Sequence, residues 1–148
     1  MDSSGCAEFC AGDTLLQTLN NFGLPSFRSG QEDVITAALS GKDAAVFWAT
    51  GLGKSLCYQI PALHAAKTTI VISPLISLMQ DQCIKLNNLC RRKVAVFLGS
   101  AQSDWQTEVD AVSGRYQLVY CTPEKIAQSG FLNTLGRLHA NQGVALFA

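Results

Sequence analysis

The stretch AAVFWATGLGKSLCYQI at residues 44–60 decides the fold of this chain. An apolar run at 44–48 predicts a buried strand, the glycine-containing segment 49–53 predicts a loop, and a helix is expected from Lys54. Gly51 and Gly53 permit backbone angles that arrange successive amides around phosphate oxygens. The amino end of a helix adds partial positive charge at the same place. The stretch therefore predicts a loop that binds the phosphates of a nucleoside triphosphate.

The loop also carries the side chains that such a site needs. Lys54 is placed to reach the β- and γ-phosphates as a point charge, and the Ser55 hydroxyl can ligate Mg²⁺. Trp48 stands where the full pattern has Gly or Ala, five residues before Gly53, so an ordinary strand–turn–helix with a chance lysine stays open as an alternative. The candidate ligand residues are Thr50, Gly51, Leu52, Gly53, Lys54 and Ser55, with Lys54 as the catalytic candidate.

The rest of the chain alternates between strand and helix patterns. Apolar runs rich in β-branched residues predict further strands at 69–73, 94–98, 117–121 and 144–148. Helices are expected at about 14–22, 29–40, 54 onward, 75–89, 103–113, 123–128 and 131–140. Asp13 or Thr14, a capping box at Ser29–Glu32, and Ser103 are the expected helix starts. Such alternation predicts an α/β fold with a parallel sheet and helices on both faces.

Composition narrows the class of protein without identifying it. The 148 residues are 48% hydrophobic and 15% charged, which suits one packed domain preceded by a loose tail at 1–12. The eleven basic and eleven acidic residues give a formal net charge of zero, so the net charge does not indicate nucleic-acid binding. The six cysteines include no Cys-x-x-Cys pair, which argues against zinc and disulfides. With no secretory signal or membrane-spanning run, we expect a soluble protein of cytosol or nucleus.

Four blocks in fixed order resemble the RecQ family of ATP-dependent DNA helicases in superfamily 2. They are FGLPSFRSGQ at 22–31, ATGLGKSLCYQIP at 49–61, VISPLISLMQDQ at 71–82, which looks like motif Ia, and YCTPEK at 120–125, which looks like motif Ib. The resemblance extends over about residues 14–148. It implies a P-loop NTPase domain of the RecA-like type, and it adds helicase motif 0 (the 22–31 block) and motif I (the loop) to the other two.

The resemblance also implies roles for individual residues. Gln31 would read the adenine edge, Arg28 would lie against the base or the phosphates, and Leu24 stands where many relatives have an aromatic residue. In motifs Ia and Ib, the side chains that would hold the backbone of one DNA strand are Ser73, Ser77, Gln80 and Thr122. ATP, Mg²⁺ and single-stranded or duplex DNA are the implied ligands.

The strand at 144–148 leads, in the family, into an Asp-Glu-Ala-His box whose acids hold Mg²⁺ and position the attacking water. That box lies beyond residue 148, so the RecA-like domain at 13–148 is expected to be incomplete at its carboxyl end. The strand at 44–48 would then lack its neighbours. The leading hypothesis is the first motor-domain portion of a 3′-to-5′ DNA helicase. The alternatives are a truncated, non-catalytic nucleotide- or DNA-binding fragment and a small P-loop kinase.

Overall fold

The centre of the molecule is a parallel sheet. The computed structural model describes residues 12–65, 67–99 and 105–148, and the strands within them are β1 (Thr68–Ile72), β2 (Ala95–Leu98), β3 (Leu118–Cys121) and β4 (Val144–Phe147). They lie in the order β2-β3-β1-β4, and every neighbouring pair is parallel. The predicted α/β fold class is confirmed, and these four strands form within a residue or two of their predicted bounds.

Helices connect the strands and cover both faces of the sheet. They are α1 (Leu15–Asn21), α2 (Gln31–Leu39), α3 (Leu56–Ala65), α4 (Ile76–Cys90), α5 (Trp105–Val112), α6 (Pro123–Ile126) and α7 (Ser129–Asn141). On one face, α3 and α4 bury Leu63, Met79 and Leu86 against the sheet. On the other face, α5 and α7 bury Ala111 and Leu135 against it. Two apolar layers therefore enclose the sheet, as its unbroken apolar strands require.

Two expected helix starts have opposite outcomes. Thr14 caps α1 in a capping box with Gln17, as one of the two predicted alternatives required. The capping box at Ser29–Glu32 is wrong, because Gly30 caps α2 in a left-handed conformation with φ 81°. A β-carbon there would lie 3.0 Å from Cζ2 of Trp48, so glycine leaves room for the indole. Ser103 and the tail at 1–11 lie outside the described residues.

The strand expected at 44–48 is wrong. This segment has no regular secondary structure, and Phe47 is 93% exposed. An apolar run becomes a strand only when a neighbouring backbone supplies its hydrogen bonds. Among the described residues, β4 is the last strand on this side of the sheet, and it does not pair with 44–48. Because no described strand pairs with the run at 44–48, its backbone takes an irregular form.

No helix in the described parts of the chain combines the length and apolar character needed to cross a membrane.

Candidate functional site

Side chains of the block at 22–31 form hydrogen bonds to the loop at 49–53. The Arg28 guanidinium donates from Nη1 to the Gly51 carbonyl at 2.6 Å, and the Gln31 amide donates from Nε2 to the Gly53 carbonyl at 3.1 Å. The Gln31 carboxamide oxygen accepts from the Arg28 backbone amide at 2.8 Å. The structure therefore brings both residues of the first block onto the loop, with the Gln31 side chain almost wholly buried.

Lys54 folds back onto its own loop. Its ammonium donates to the carbonyl oxygens of Trp48 at 2.7 Å and Ala49 at 3.1 Å. The described part of the chain contains no carboxylate paired with Lys54 or Arg28. Two cations bound only to neutral carbonyls leave an uncompensated positive charge, which suits an anionic ligand.

The loop backbone requires glycine. Gly51 and Gly53 have φ 87° and 81°, in the left-handed region that glycine adopts readily. A β-carbon on Gly53 would lie 2.4 Å from Nε2 of Gln31. After Gly53, turns that bond Leu56 to Gly53 and Cys57 to Lys54 lead into α3. The helix therefore begins at Leu56 rather than at Lys54, after a turn of 3₁₀ type.

A small cavity opens between the first block and the loop. Its volume is about 200 Å³, and it is lined by Leu24, Ser26, Arg28, Gln31, Gly51, Gly53, Ser55 and Leu56. Pockets for whole ligands measure about 300–1,000 Å³. This cavity therefore suits a base-sized group, and it places Ser55 in the same wall as Arg28 and Gln31. Thr50 and Leu52 are exposed nearby.

Lys54 lines a second groove, which shares none of its lining residues with the first cavity. Its volume is about 400 Å³, and it separates the segment around Ala44 from Leu146 and Phe147 of β4. Asp43 and Tyr58 also line this groove, and sequence reasoning did not select either of them. Asp43 directly precedes the apolar run at 44–48, and that position could have drawn attention to it. It is the acidic residue that shares a groove with Lys54.

The candidate DNA-contact residues fall into two groups. Ser73 and Thr122 follow β1 and β3 directly. Since Ile72 is in register with Cys121, the two residues lie side by side at the carboxyl end of these strands, which we call the DNA edge. Their hydroxyls already accept hydrogen bonds, from the Leu75 amide at 3.2 Å and the Lys125 amide at 3.2 Å. Thr122 is 3% exposed and caps α6. These two side chains shape the turns at the edge.

Ser77 and Gln80 form the second group, on the first turns of α4. Both are exposed, whereas Met79 on the opposite side of the helix is buried. Hydroxyl and amide groups presented in this way can bond to phosphate oxygens without reading sequence. The structure thus brings Ser73 and Thr122 together and presents Ser77 and Gln80 on the adjoining helix.

The buried cysteines take no part in this chemistry. Burial raises the pKa of the Cys83 thiol to about 12 and those of Cys90 and Cys121 to about 11, and it also raises the pKa of Cys57. A thiol must lose its proton to act as a nucleophile or metal ligand. These four side chains therefore serve as small apolar core residues at neutral pH.

The candidate phosphate loop thus lies in a parallel α/β domain, and comparison with known families gives the class of this domain. The DEAD/DEAH box helicase family matches residues 28–143, which is most of the chain, so the chain belongs to that family.

Relatives of known name confirm the resemblance to RecQ. The chain is 48% identical over 130 residues to the ATP-dependent DNA helicase Q-like SIM of Arabidopsis thaliana, with 87% of this chain and 15% of the relative covered. It is 45% identical over 139 residues to the ATP-dependent DNA helicase RecQ of Haemophilus influenzae, covering 91% of this chain and 22% of that protein. The chain thus spans at most about a fifth of either relative.

Solved structures agree on the fold. The helicase MrfA, crystallised with DNA and AMPPNP, superposes with a TM-score of 0.67 at 18% identity, covering 87% of this chain and 20% of that one. A hypothetical ATP-dependent RNA helicase from Sulfolobus tokodaii gives 0.58 at 17% identity, covering 90% and 48%. At such identities the likeness establishes the helicase-type α/β fold alone.

Proposed function

We propose that this chain is the ATP-binding and DNA-contacting portion of a RecQ-like helicase that couples ATP hydrolysis to 3′-to-5′ movement on DNA. The observation that carries the proposal is the attachment of the 22–31 block to the phosphate loop through Arg28 and Gln31. A phosphate loop alone is common to many enzymes, whereas this attachment joins a base-sized cavity to the loop. DNA unwinding in the nucleus, or in the cytoplasm of a prokaryote, belongs to the same proposal.

ATP binding would replace the internal contacts of the loop. Lys54 would leave the carbonyls of Trp48 and Ala49 for the β- and γ-phosphates, while Arg28 and Gln31 would face the base from the 200 Å³ cavity. Each exchange substitutes one hydrogen bond for another. The gain comes from bringing an anion to cations that no described carboxylate neutralises.

Ser55 fits the requirements of Mg²⁺ as one ligand among several. Mg²⁺ in nucleotide sites keeps several waters and takes oxygen from phosphates, so a single protein hydroxyl beside the loop is an adequate donor. Bound there, the ion would neutralise charge between the phosphates. Ser55 is half-buried and lines the same cavity as Arg28 and Gln31.

Hydrolysis by these 148 residues alone is not expected. The resemblance assigns the water-positioning carboxylate to an Asp-Glu-Ala-His box, a sequence that these 148 residues do not contain. Asp43 is the acidic residue that lines the groove with Lys54. We therefore propose binding without DNA-stimulated turnover, with Thr50, Gly51 and Leu52 completing the loop around the phosphates and Ser73, Ser77, Gln80 and Thr122 forming the DNA edge.

The test combines nucleotide binding with ATPase assays on the 148-residue protein, with and without single-stranded DNA. A fluorescent ATP analogue with Mg²⁺ should bind, and Lys54→Ala should weaken binding by at least about tenfold, or about 1.4 kcal/mol. Failure to bind the analogue would refute the proposal. DNA-stimulated ATP hydrolysis that Lys54→Ala abolishes would refute the proposal that these 148 residues do not hydrolyse ATP. Loss of that hydrolysis in Asp43→Asn would then identify Asp43 as the carboxylate that supports it.

A further inference from the structure

A pair of glutamines joins the helix behind the phosphate loop to the helix that carries Ser77 and Gln80. Gln59 lies on α3, and its backbone amide bonds to the Ser55 carbonyl at 3.0 Å, one turn away. Its Nε2 donates to Oε1 of Gln82 on α4 at 2.7 Å. Gln59 is 4% exposed and Gln82 is half-buried, so this hydrogen bond is partly shielded from solvent, which strengthens it relative to a bond at the surface.

The position of Gln82 on α4 connects the buried side of this helix with its exposed side. On α4 the side chains of Met79, Cys83 and Leu86 are buried in the core, while Ser77 and Gln80 are exposed. Gln82 is half-buried at the boundary between these two sides. A shift of α3 along α4 would break the hydrogen bond between Gln59 and Gln82. The bond therefore links the positions of the two helices.

A third group extends the link toward the second DNA-contact candidate. The Tyr120 hydroxyl on β3 lies 3.4 Å from Nε2 of Gln59, and its ring meets the Tyr58 ring edge to face with centroids 6.3 Å apart. Burial raises the pKa of Tyr120, so its hydroxyl keeps its proton. Thr122 follows two residues later at the edge of the sheet. The cluster thus touches α3, α4 and β3 together.

We propose that Gln59 and Gln82 are positioning residues that couple the phosphate loop to the DNA-contacting surface of α4. The two states of the loop differ in whether Lys54 bonds to the carbonyls of Trp48 and Ala49 or to phosphate. Rearrangement at Ser55 reaches Gln59 through one turn of α3 and reaches α4 through the amide bond. Because coupling between two binding sites is reciprocal, DNA must change nucleotide affinity by the same factor. The inference rests on the proposed function.

The experiment measures the coupling itself. The affinity of the 148-residue protein for a fluorescent ATP analogue with Mg²⁺ is determined with and without saturating oligothymidylate. We expect a ratio of about fivefold or more in the unmodified protein. Gln82→Met, which keeps length but removes the acceptor, should bring the ratio close to one. Gln82→Glu, whose carboxylate still accepts from Gln59, should keep it.

Controls separate positioning from folding. Asn88→Met places the same side chain at an exposed position of α4 and should leave the ratio unchanged. Gln59→Met should lose the coupling as Gln82→Met does, and the double variant should lose no more, since both remove the bond between Gln59 and Gln82. Thermal unfolding of each variant shows whether the fold persists, and the ratio is compared among folded variants.

Two results would overturn the inference while leaving the proposed function intact. One is an unmodified protein that binds both ligands with no coupling, and the other is a Gln82→Met variant that keeps the full ratio. Equal loss in Gln82→Glu and Gln82→Met would also count against the hydrogen bond as the cause. An unmodified protein that binds neither ligand would instead remove the proposed function together with the inference.

Discussion

At the scale of single residues, the phosphate loop depends on space as well as on backbone angle. Gly53 combines φ 81° with a neighbour, the Gln31 amide, that would lie 2.4 Å from an added β-carbon. Gly51 has a similar φ of 87° but no neighbour within 4 Å. The two glycines of the motif are therefore needed for different reasons, and Gly53 also accepts the hydrogen bond that attaches α2 to the loop.

Gly53→Ala should both destabilise the protein and impair nucleotide binding. An alanine in the left-handed region costs about 1–2 kcal/mol. Displacement of the Gln31 amide adds the loss of its bond, about 1 kcal/mol. Because the loop then spends less time in the binding-competent form, affinity for the ATP analogue should fall by at least about tenfold. Chemical denaturation and fluorescence titration measure the two effects.

Gly136→Ala is the matched control. Gly136 lies in α7 with open space around it, so alanine should stabilise the helix by up to about 1 kcal/mol and leave binding unchanged. If Gly53→Ala behaves like Gly136→Ala, the contact between Gly53 and Gln31 does not constrain the loop.

At the scale of elements, sequence patterns predicted those strands that the fold could pair. The runs at 69–73 and 117–121 became β1 and β3, which are hydrogen-bonded to each other in register. The run at 44–48 has an equally apolar pattern and formed no strand, because pairing is decided by neighbours distant in sequence. Local pattern gives the type of an element, whereas its partners decide whether a strand exists.

The same limit applies to the candidate site. Residue types in the loop indicated phosphate binding directly. The contacts from Arg28 to Gly51 and from Gln31 to Gly53 join positions 23 and 22 residues apart, and no spacing rule predicts which atoms meet. For Gln31 the capping-box pattern at Ser29–Glu32 was misleading, since Gly30 took the cap and the Gln31 side chain turned to the loop. Asp43 lines the groove next to the run at 44–48, whose backbone path is irregular.

One partly buried ion pair, in which the Glu108 side chain is 30% exposed, links three helices near the candidate DNA-contact residues. Lys125 of α6, whose side chain is 7% exposed, bonds to Glu108 of α5 at 2.7 Å and lies 5.1 Å from the Phe131 ring centroid of α7. Removing one partner leaves a buried charge without compensation. Glu108→Ala should therefore lower the free energy of unfolding by about 1–3 kcal/mol in chemical denaturation.

A surface pair provides the comparison for this ion pair. Arg115 and Asp110 also approach to 2.6 Å, but the Arg115 side chain is 66% exposed. Arg115→Met should cost no more than about 1 kcal/mol. The double variant Glu108→Leu, Lys125→Met removes both buried charges and should recover much of the lost stability. Equal costs for Glu108→Ala and Arg115→Met would show that the Lys125 pair is effectively solvated.

At the scale of the whole molecule, the two outer edges of the sheet differ in protection. The strand β2 is preceded by the exposed basic residues Arg91, Arg92 and Lys93, and charge beside an edge strand discourages pairing between molecules. On the opposite side, β4 borders the groove of about 400 Å³ that Ala44, Val46 and Leu146 help to line, and Phe47, the residue after Val46, is 93% exposed. Contiguous exposed apolar surface next to an open edge favours association.

The described chain should therefore self-associate through the β4 side at high concentration. Phe47→Lys removes the most exposed large apolar side chain on that side and adds a charge, so sedimentation velocity should show a shift toward monomer with the melting temperature unchanged. Leu16→Lys also replaces an exposed apolar side chain with lysine, on α1, where the side chain is 48% exposed and does not line the groove beside β4. It should leave the sedimentation profile as it was. Equal effects of the two substitutions would mean that net charge, rather than the open edge of β4, governs association.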